Sequence, residues 1–284
     1  MPMKSYVELL KLRIALMIAL TAVTGYGAVA ETVEPLHLAL LVLVMVLGSG
    51  GSAVFNHVFD RDIDALMKRT RNRPMVVGTV APTEALMLAG CLTLAGIVLA
   101  VSALNWVVAV HLFLGVFVYA VIYTVWLKRR TWWNIVFGGG AGSFALLAGA
   151  AVVQPSQWML PALLAVTLFL WTPSHFWALS ILLVDDYRAA NVPMLPVVVG
   201  VERTAWCILG NSVLLVGSSL VPWAMGWLGT PYLIGAGLVG ALLLGLNVKL
   251  VLTPSRYWAG WNFAASMPYL LGLFIAVFAD KHWF

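Results

Sequence analysis

The chain has 284 residues, of which 62% are hydrophobic and only 10% are charged, and its mean hydropathy is +0.98. Soluble domains carry about 45–50% apolar residues and about 25% charged ones. The composition therefore excludes a water-soluble globule, a disordered chain and a disulfide scaffold, and it predicts an integral membrane protein. The apolar runs, such as residues 38–51, are continuous rather than alternating, so we expect membrane helices rather than a β-barrel.

The hydrophobic runs predict about nine transmembrane helices, because a spanning helix needs roughly 20 apolar residues. The predicted spans cover 14–30, 36–58, 84–103, 106–127, 132–153, 158–183, 205–225, 231–252 and 260–279. We expect a single all-α domain over residues 1–284. Its two long loops suggest duplicated four-helix units, roughly 14–127 and 132–252, followed by the ninth helix.

The basic residues are distributed unevenly between the two sides of the predicted bundle. Nine spans place 15 of the 16 Lys and Arg residues on the side of the N-terminus and only Lys281 on the other. The positive-inside rule then puts the N-terminus and the polar loops in the cytoplasm. Because no Arg- and Ser-rich transit segment precedes the first span, we expect a bacterial-type cytoplasmic (inner) membrane. The same distribution argues against nucleic acid as a partner.

A row of oxygen-bearing side chains follows the second predicted span, where residues 56–74 read NHVFDRDIDALMKRTRNRP. Asn56, Asp60 and Asp64 recur at i, i+4 and i+8, so a helix places them on one face, whereas Asp62 lies on another. Carboxylate and amide oxygens are ligands that Mg²⁺ accepts, often together with substrate phosphates. The spacing predicts a magnesium site at the end of this span.

Four cations, Lys68, Arg69, Arg71 and Arg73, come next in the chain. Positive side chains beside aligned carboxylates either neutralise them or bind the oxygens of a phosphate group. A solvated, charge-balanced loop is the alternative. Ionisable groups that border a bilayer are costly, which favours a functional metal and diphosphate site.

The pattern Asn-x-x-x-Asp-x-x-x-Asp followed by Arg-x-Arg-Pro resembles the first signature of the intramembrane prenyltransferases of the UbiA superfamily. The resemblance implies a bundle of about nine helices. It also implies a Mg²⁺-dependent transferase that moves an isoprenoid from its diphosphate to an aromatic or macrocyclic acceptor.

Two further stretches resemble the protohaem IX farnesyltransferase (haem O synthase) branch of that superfamily. Residues 172–200 read TPSHFWALSILLVDDYRAANVPMLPVVVG, and residues 123–139 read YTVWLKRRTWWNIVFGG. The resemblance implies that a farnesyl group passes from farnesyl diphosphate to a vinyl group of haem B and that water then adds, giving haem O. Haem B is thus a substrate rather than a cofactor. The chain departs from the branch pattern at Leu12, Ala145–Leu146 and Ser174, on the acceptor side.

The resemblance also implies roles for particular residues. One Mg²⁺ is expected on Asn56, Asp60 and Asp64, and a second on Asp185 and Asp186. The four aspartates are the expected catalytic residues. The diphosphate is expected to contact Asn56, Lys68, Arg71, Arg73, Lys128 and Arg188. The candidates for a haem contact are His175 and His57.

Three other functions remain open at this stage. A related prenyltransferase would use another aromatic acceptor, such as 4-hydroxybenzoate. A non-catalytic haem-handling assembly factor and an ion-coupled transporter are the others. The transporter is disfavoured because the acidic residues lie at the edge of the spans rather than near the bilayer midplane. Expected partners besides the substrates are membrane lipid, a second copy of the chain or haem–copper oxidase assembly proteins.

Overall fold

A computed structural model describes residues 3–283, and every regular element in that range is a helix. The helices are α1 (Met3–Leu9), α2 (Leu12–Gly27), α3 (Pro35–Phe59), α4 (Arg61–Leu66), α5 (Pro74–Val77), α6 (Pro82–Ala103), α7 (Trp106–Phe117), a π-helix (Val118–Leu127), α8 (Asn134–Gly138), α9 (Gly140–Val153), α10 (Met159–Leu182), α11 (Val184–Ala189), α12 (Leu195–Ala224), α13 (Thr230–Leu252) and α14 (Arg256–His282).

The expected helical membrane bundle is confirmed. Within residues 3–283, eight helical segments are long and apolar enough to cross a membrane, and α2 is a shorter apolar helix. Two of the eight are composite: α7 continues into the π-helix, and α8 continues into α9. The orientation of the bundle and its division into duplicated units stay predictions.

Local sequence signals fix several helix ends. Pro35 and Pro82 open α3 and α6, where the missing backbone N–H of proline costs no intrahelical hydrogen bond. The side chain of Asn105 caps α7 by accepting a hydrogen bond of 3.0 Å from the backbone N–H of Val108. Ser255 caps α14 in the same way.

Helices α2 and α9 approach each other until their backbones touch. A Cβ atom on Gly25 would collide with the carbonyl of Leu146, and a Cβ on Gly149 would collide with the carbonyl of Ala22. Small residues allow such close crossings between membrane helices. The crossing thus packs α2, near the start of the chain, against α9 in its middle.

Two large apolar clusters form the core. One is built on α10, α12, α13 and α14, and the other on α2, α3, α7 and α9. A third, smaller cluster brings together Ile63 of α4, Tyr123 of the π-helix and Tyr187 of α11. The short helices α4 and α11 therefore cover the same end of the bundle, where α3 and the π-helix end.

Candidate functional site

The side chains of Asn56, Asp60 and Asp64 form one buried row at the end of α3, as the spacing predicts. Asp60 lies between α3 and α4, yet the hydrogen-bond pattern continues through it, with Asp60 N to Asn56 O at 2.9 Å and Asp64 N to Asp60 O at 2.7 Å. The three residues are only 2%, 1% and 3% exposed. The amide nitrogen of Asn56 donates a hydrogen bond of 2.7 Å to Oδ2 of Asp60.

Asp62 lies on the opposite, exposed face of α4. Arg129 donates to both of its carboxylate oxygens, at 2.6 and 2.7 Å, and also to the carbonyl of Phe59 at 2.6 Å. The hydrogen bonds from Arg129 lower the pKa of Asp62. These hydrogen bonds hold Arg129 against the exposed surface of α4, and they are separate from the row.

Three cations contact the side chains of the row. Arg73 pairs with Asp64 at 2.5 Å, Lys128 pairs with Asp60, and Nζ of Lys11 donates to Oδ1 of Asn56 at 2.7 Å. Arg73 and Lys128 were predicted as phosphate contacts. The contribution of Lys11 is not evident from the sequence, because it reads as one more basic residue flanking the first span.

Lys11 occupies an unusual backbone position. It lies between α1 and α2 with φ 47° and ψ 50°, in the left-handed region. Burial lowers the pKa of Lys11 to about 7, and the nearby cations Arg73 and Lys128 act in the same direction. An added anion would oppose both effects, since it supplies the compensating charge that the ammonium group lacks. The surroundings of Lys11 therefore favour an anionic ligand.

The π-helix sets which side chains of its segment reach the row. The backbone N–H of Lys128 bonds to the carbonyl of Tyr123 at 2.8 Å, a five-residue step rather than the four of an α-helix. Both Thr124 and Lys128 of this segment reach the row, where Asn56 donates to Oγ1 of Thr124 at 3.0 Å. Tyr119 stacks on Tyr123 with centroids 5.6 Å apart. A π-helix is rare in proteins and is frequently found at functional sites.

The two carboxylates of the second acidic pair, Asp185 and Asp186, lie in different environments. Asp186 accepts hydrogen bonds from the backbone N–H groups of Lys68 at 3.2 Å and Arg69 at 3.4 Å, so it joins α11 to the loop after α4. Asp185 faces outward and pairs with Arg256 at 2.5 Å, and this hydrogen bond lowers its pKa.

Three predicted phosphate contacts lie at the surface. Lys68, Arg71 and Arg188 are exposed, and Arg188 pairs with Asp185 at 3.5 Å. Within residues 3–283, no group of three or more His, Cys, Asp or Glu side chains is gathered around one point that could hold a metal ion. The structure thus brings Asn56, Asp60 and Asp64 together, whereas the role of the second acidic pair stays a prediction.

A cavity of about 430 Å³ begins beside the row and extends between the helices. Lys11 and Arg13 line one part of it, and most of the remaining wall is apolar or aromatic. Lys11 therefore belongs to both the row and the cavity wall, because it contacts Asn56 and also lines the cavity. A molecule with an anionic head and a long apolar tail matches this pairing of surfaces.

The histidines differ in their access to this cavity. His175 of α10 and His111 of α7 line it. His57 is 2% exposed and does not line the cavity, and neither of its ring nitrogens has a hydrogen-bond partner within the described range 3–283. The geometry therefore favours His175 over His57 as a contact for a large acceptor in the cavity, and both assignments stay predictions.

Comparison with protein families gives a match to the UbiA prenyltransferase family over residues 16–278. The chain belongs to the UbiA prenyltransferase family. This assignment confirms the resemblance carried by the Asn56–Asp64 pattern, and it makes the protein an integral membrane protein.

Curated relatives among the UbiA proteins share one name. A protein named protoheme IX farnesyltransferase 1 from Paramagnetospirillum magneticum is 68% identical over 283 residues, covering 100% of both chains. Protoheme IX farnesyltransferase 2 of the same organism is 47% identical, covering 98% of this chain and 97% of the relative. The protoheme IX farnesyltransferase of Alkalilimnicola ehrlichii is 40% identical, covering 98% and 92%.

Solved structures of UbiA proteins share the fold. Digeranylgeranylglyceryl phosphate synthase superposes with a TM-score of 0.82 at 18% identity, covering 98% of each chain. A UbiA homologue from Archaeoglobus fulgidus, solved with DMAPP and Mg²⁺ bound, superposes with a TM-score of 0.70 at 16% identity, covering 96% of this chain and 99% of that one. At such low identity the likeness establishes the fold alone.

Proposed function

We propose that this UbiA protein transfers the farnesyl group of farnesyl diphosphate to a vinyl group of haem B, with addition of water, and releases haem O and diphosphate. One structural observation carries the proposal: Lys11 joins the buried row of Asn56, Asp60 and Asp64 to the apolar cavity. The choice of haem B as acceptor is supported by the names of the relatives at 68%, 47% and 40% identity.

The row fits a divalent cation. Mg²⁺ prefers oxygen ligands, and Oδ1 of Asp60 is buried without a hydrogen-bond partner in the part of the chain that the structure describes. We propose that Asn56, Asp60 and Asp64 would hold one Mg²⁺ and that Asp185 and Asp186 would help to hold a second. Bound Mg²⁺ would supply positive charge to the departing diphosphate.

The cations of the chain bind the diphosphate in this proposal. Lys11, Arg73 and Lys128 already lie at the row, where they would exchange carboxylate and amide oxygens for phosphate oxygens. Charge-assisted hydrogen bonds of this kind stabilise the leaving group as its negative charge develops. The exposed Lys68, Arg71 and Arg188 would contact the diphosphate from the protein surface.

The cavity protects the reacting farnesyl carbon. Its apolar wall excludes bulk water, which would otherwise capture an allylic cation before the acceptor does. Tyr119 lines the cavity next to the row, and the π face of its ring attracts positive charge. The acceptor would enter from the opposite part of the cavity, where His175 lies.

The location and partners are proposed on separate grounds. The excess of 15 to 1 in basic residues supports a row that faces the cytoplasm of a bacterial-type membrane. Self-association and contact with haem–copper oxidase assembly proteins stay predictions.

A product assay tests the function. The purified protein in detergent is incubated with haem B, farnesyl diphosphate and Mg²⁺, and the haems are separated and weighed by mass spectrometry. We expect a product heavier than haem B by one farnesyl group and one water, and we expect chelation to abolish it. Asp64→Asn should reduce product at least about 100-fold, whereas Asp62→Asn, its exposed neighbour, is the matched control and should retain activity.

Two results would contradict the proposal in different ways. Farnesyl diphosphate binding without any farnesylated haem would make the acceptor wrong. Absence of Mg²⁺-dependent farnesyl diphosphate binding in the folded protein would make a transferase site at the row wrong.

A further inference from the structure

A second, much smaller pocket also contacts His175. Its volume is about 10 Å³, and Ser174, Asn247, Asn262 and Ser266 are polar residues of its largely apolar lining. Oδ1 of Asn247 is buried without a hydrogen-bond partner among residues 3–283. A space of this size with several polar neighbours suits one water molecule.

The pocket lies between two separate groups of hydrogen-bonded polar side chains, one on α10 and α12 and the other on α13 and α14. Asn247 donates to Oδ1 of Asn262 at 2.6 Å, and Asn211 donates to the hydroxyl of Ser174 at 2.7 Å. Ser212 also donates to Ser174, at 2.9 Å. Polar groups inside a membrane bundle are costly unless satisfied, and they often mark functional positions.

The hydrogen bonds of Ser266 favour one tautomer of His175. The hydroxyl of Ser266 has one hydrogen, which it donates to the carbonyl of Phe263 at 2.6 Å. Both contacts of the Ser266 hydroxyl are satisfied when Nδ1 of His175 donates across the 2.5 Å contact to Oγ of Ser266. Nε2 then carries a lone pair, and it has no hydrogen-bond partner among residues 3–283.

The imidazole ring is held in one orientation. It is stacked between Trp171, with centroids 4.3 Å apart, and Phe263, with centroids 4.6 Å apart. Ser266 lines only the small pocket, whereas His175 lines both the small pocket and the large cavity. Because Nδ1 contacts Ser266, Nε2 lies on the side of the ring away from Ser266, where it is free to act on a molecule in the large cavity.

We infer that His175 is the general base for the water addition and that Ser266 is its positioning residue. The inference rests on the proposed farnesyl transfer. It gives a further catalytic residue to that reaction.

The step balances without any oxidant or reductant. The outer vinyl carbon bonds to C1 of the farnesyl group, and the C1–O bond breaks with its electron pair leaving on diphosphate. The inner vinyl carbon, next to the macrocycle, becomes a cation. The oxygen of water bonds to that carbon while one of its protons passes to Nε2 of His175. The imidazolium then releases this proton to diphosphate, so the net reaction consumes one water.

The competing fate of the cation provides the test. Without a base for water, the cation loses a proton from the adjacent carbon and forms an alkene, which is one water lighter than haem O. The measurement is the ratio of hydroxylated to anhydro product, determined by mass spectrometry. Because a general base contributes about 100-fold or more to a proton-transfer step, we expect His175→Gln to lower the ratio by about 100-fold.

Matched variants separate the roles. His111→Gln changes the other histidine of the cavity and should leave the ratio unaltered, whatever its effect on total turnover. Ser266→Ala removes the acceptor of Nδ1–H and should lower the ratio, whereas Ser266→Thr keeps a hydroxyl and should restore it. If His175→Gln gives no product or does not fold, the Ser266 pair carries the test.

The controls distinguish this inference from the proposed function. Wild-type protein that makes no farnesylated haem contradicts the proposed function. Wild-type protein that makes haem O, with an unaltered ratio in His175→Gln or in Ser266→Ala, overturns the role of His175. Coordination of haem iron by His175, seen as a difference between the absorption spectra of haem bound to wild type and to His175→Gln, overturns it as well, since that lone pair cannot also accept the proton.

Discussion

Nζ of Lys11 donates a hydrogen bond of 2.7 Å to Oδ1 of Asn56, although 45 positions separate the two residues in the chain. Through this contact the turn between α1 and α2 becomes part of the buried row, and the row becomes continuous with the cavity. The contact places a cation where the head and the tail of a prenyl diphosphate would meet.

Lys11→Met is expected to weaken farnesyl diphosphate binding. Hydrogen bonds to charged groups contribute about 1.5–3 kcal/mol, so kcat/KM for farnesyl diphosphate should fall by about 10- to 150-fold. Steady-state kinetics with haem B held constant measure the effect. Lys4→Met, which removes an exposed lysine of α1, is the control and should change little. An unchanged kcat/KM in Lys11→Met would show that Lys11 has only a structural role.

The pair of Asp60 and Lys128 should be strongly coupled in stability. Their side chains are 1% and 10% exposed, so removal of one partner leaves a buried, unpaired charge, which costs about 3–5 kcal/mol. Asp60→Asn and Lys128→Met should each lower Tm in detergent. The double variant should recover most of the loss and remain inactive. Additive losses of Tm in the double variant would contradict the coupling.

The crossing of α2 and α9 should tolerate no added side chain. Gly149→Ala forces a Cβ atom against the carbonyl of Ala22, and overpacking of this kind typically costs about 1–3 kcal/mol. We expect a lower Tm and a loss of activity. Gly210→Ala and Gly217→Ala in α12, where a Cβ atom meets nothing within 4 Å, are the controls and should behave like wild type. The crossing would be looser than described if all three variants melted alike.

Asp186 should matter more than Asp185, although the two are adjacent. Asp186 accepts two backbone hydrogen bonds from the loop after α4, whereas Asp185 is exposed and pairs with Arg256. Asp186→Ala is therefore expected to raise the Mg²⁺ concentration required for half-maximal activity by about tenfold, because it removes hydrogen bonds to a charged group. Asp185→Ala should raise it less. Equal effects in a Mg²⁺ titration would contradict this ranking of the two carboxylates.

The sequence predicts the membrane helices and the row well, because each depends on local periodicity. Nine apolar runs require nine helices, and the i, i+4, i+8 spacing of Asn56, Asp60 and Asp64 survives the break at Asp60 because the backbone hydrogen bonds continue there. The family also follows from this short pattern together with the second loop.

The rest of the site depends on contacts that no local pattern encodes. Lys11 reaches the row from the turn between α1 and α2, where its backbone is left-handed. Thr124 reaches it from a π-helical segment, and nothing in VYAVIYTVWL distinguishes that segment from an α-helix. Likewise, neighbouring aspartates at 185 and 186 look equivalent in the sequence, and the packing of α11 separates them.

The polar side chains described above are sorted along the chain. All those of the row and its charged partners lie before residue 130, and all those of the pocket around His175, which are neutral hydroxyl, amide and imidazole groups, lie after residue 170. The two ends of the cavity are thus encoded in separate stretches of sequence. Exchange of the later stretch between relatives would replace the surroundings of His175 together with Asp185, Asp186 and Arg188. The row of Asn56, Asp60 and Asp64 and its partners Lys11, Arg73 and Lys128 would stay intact, so the acceptor end can diversify within this fold while the row is kept.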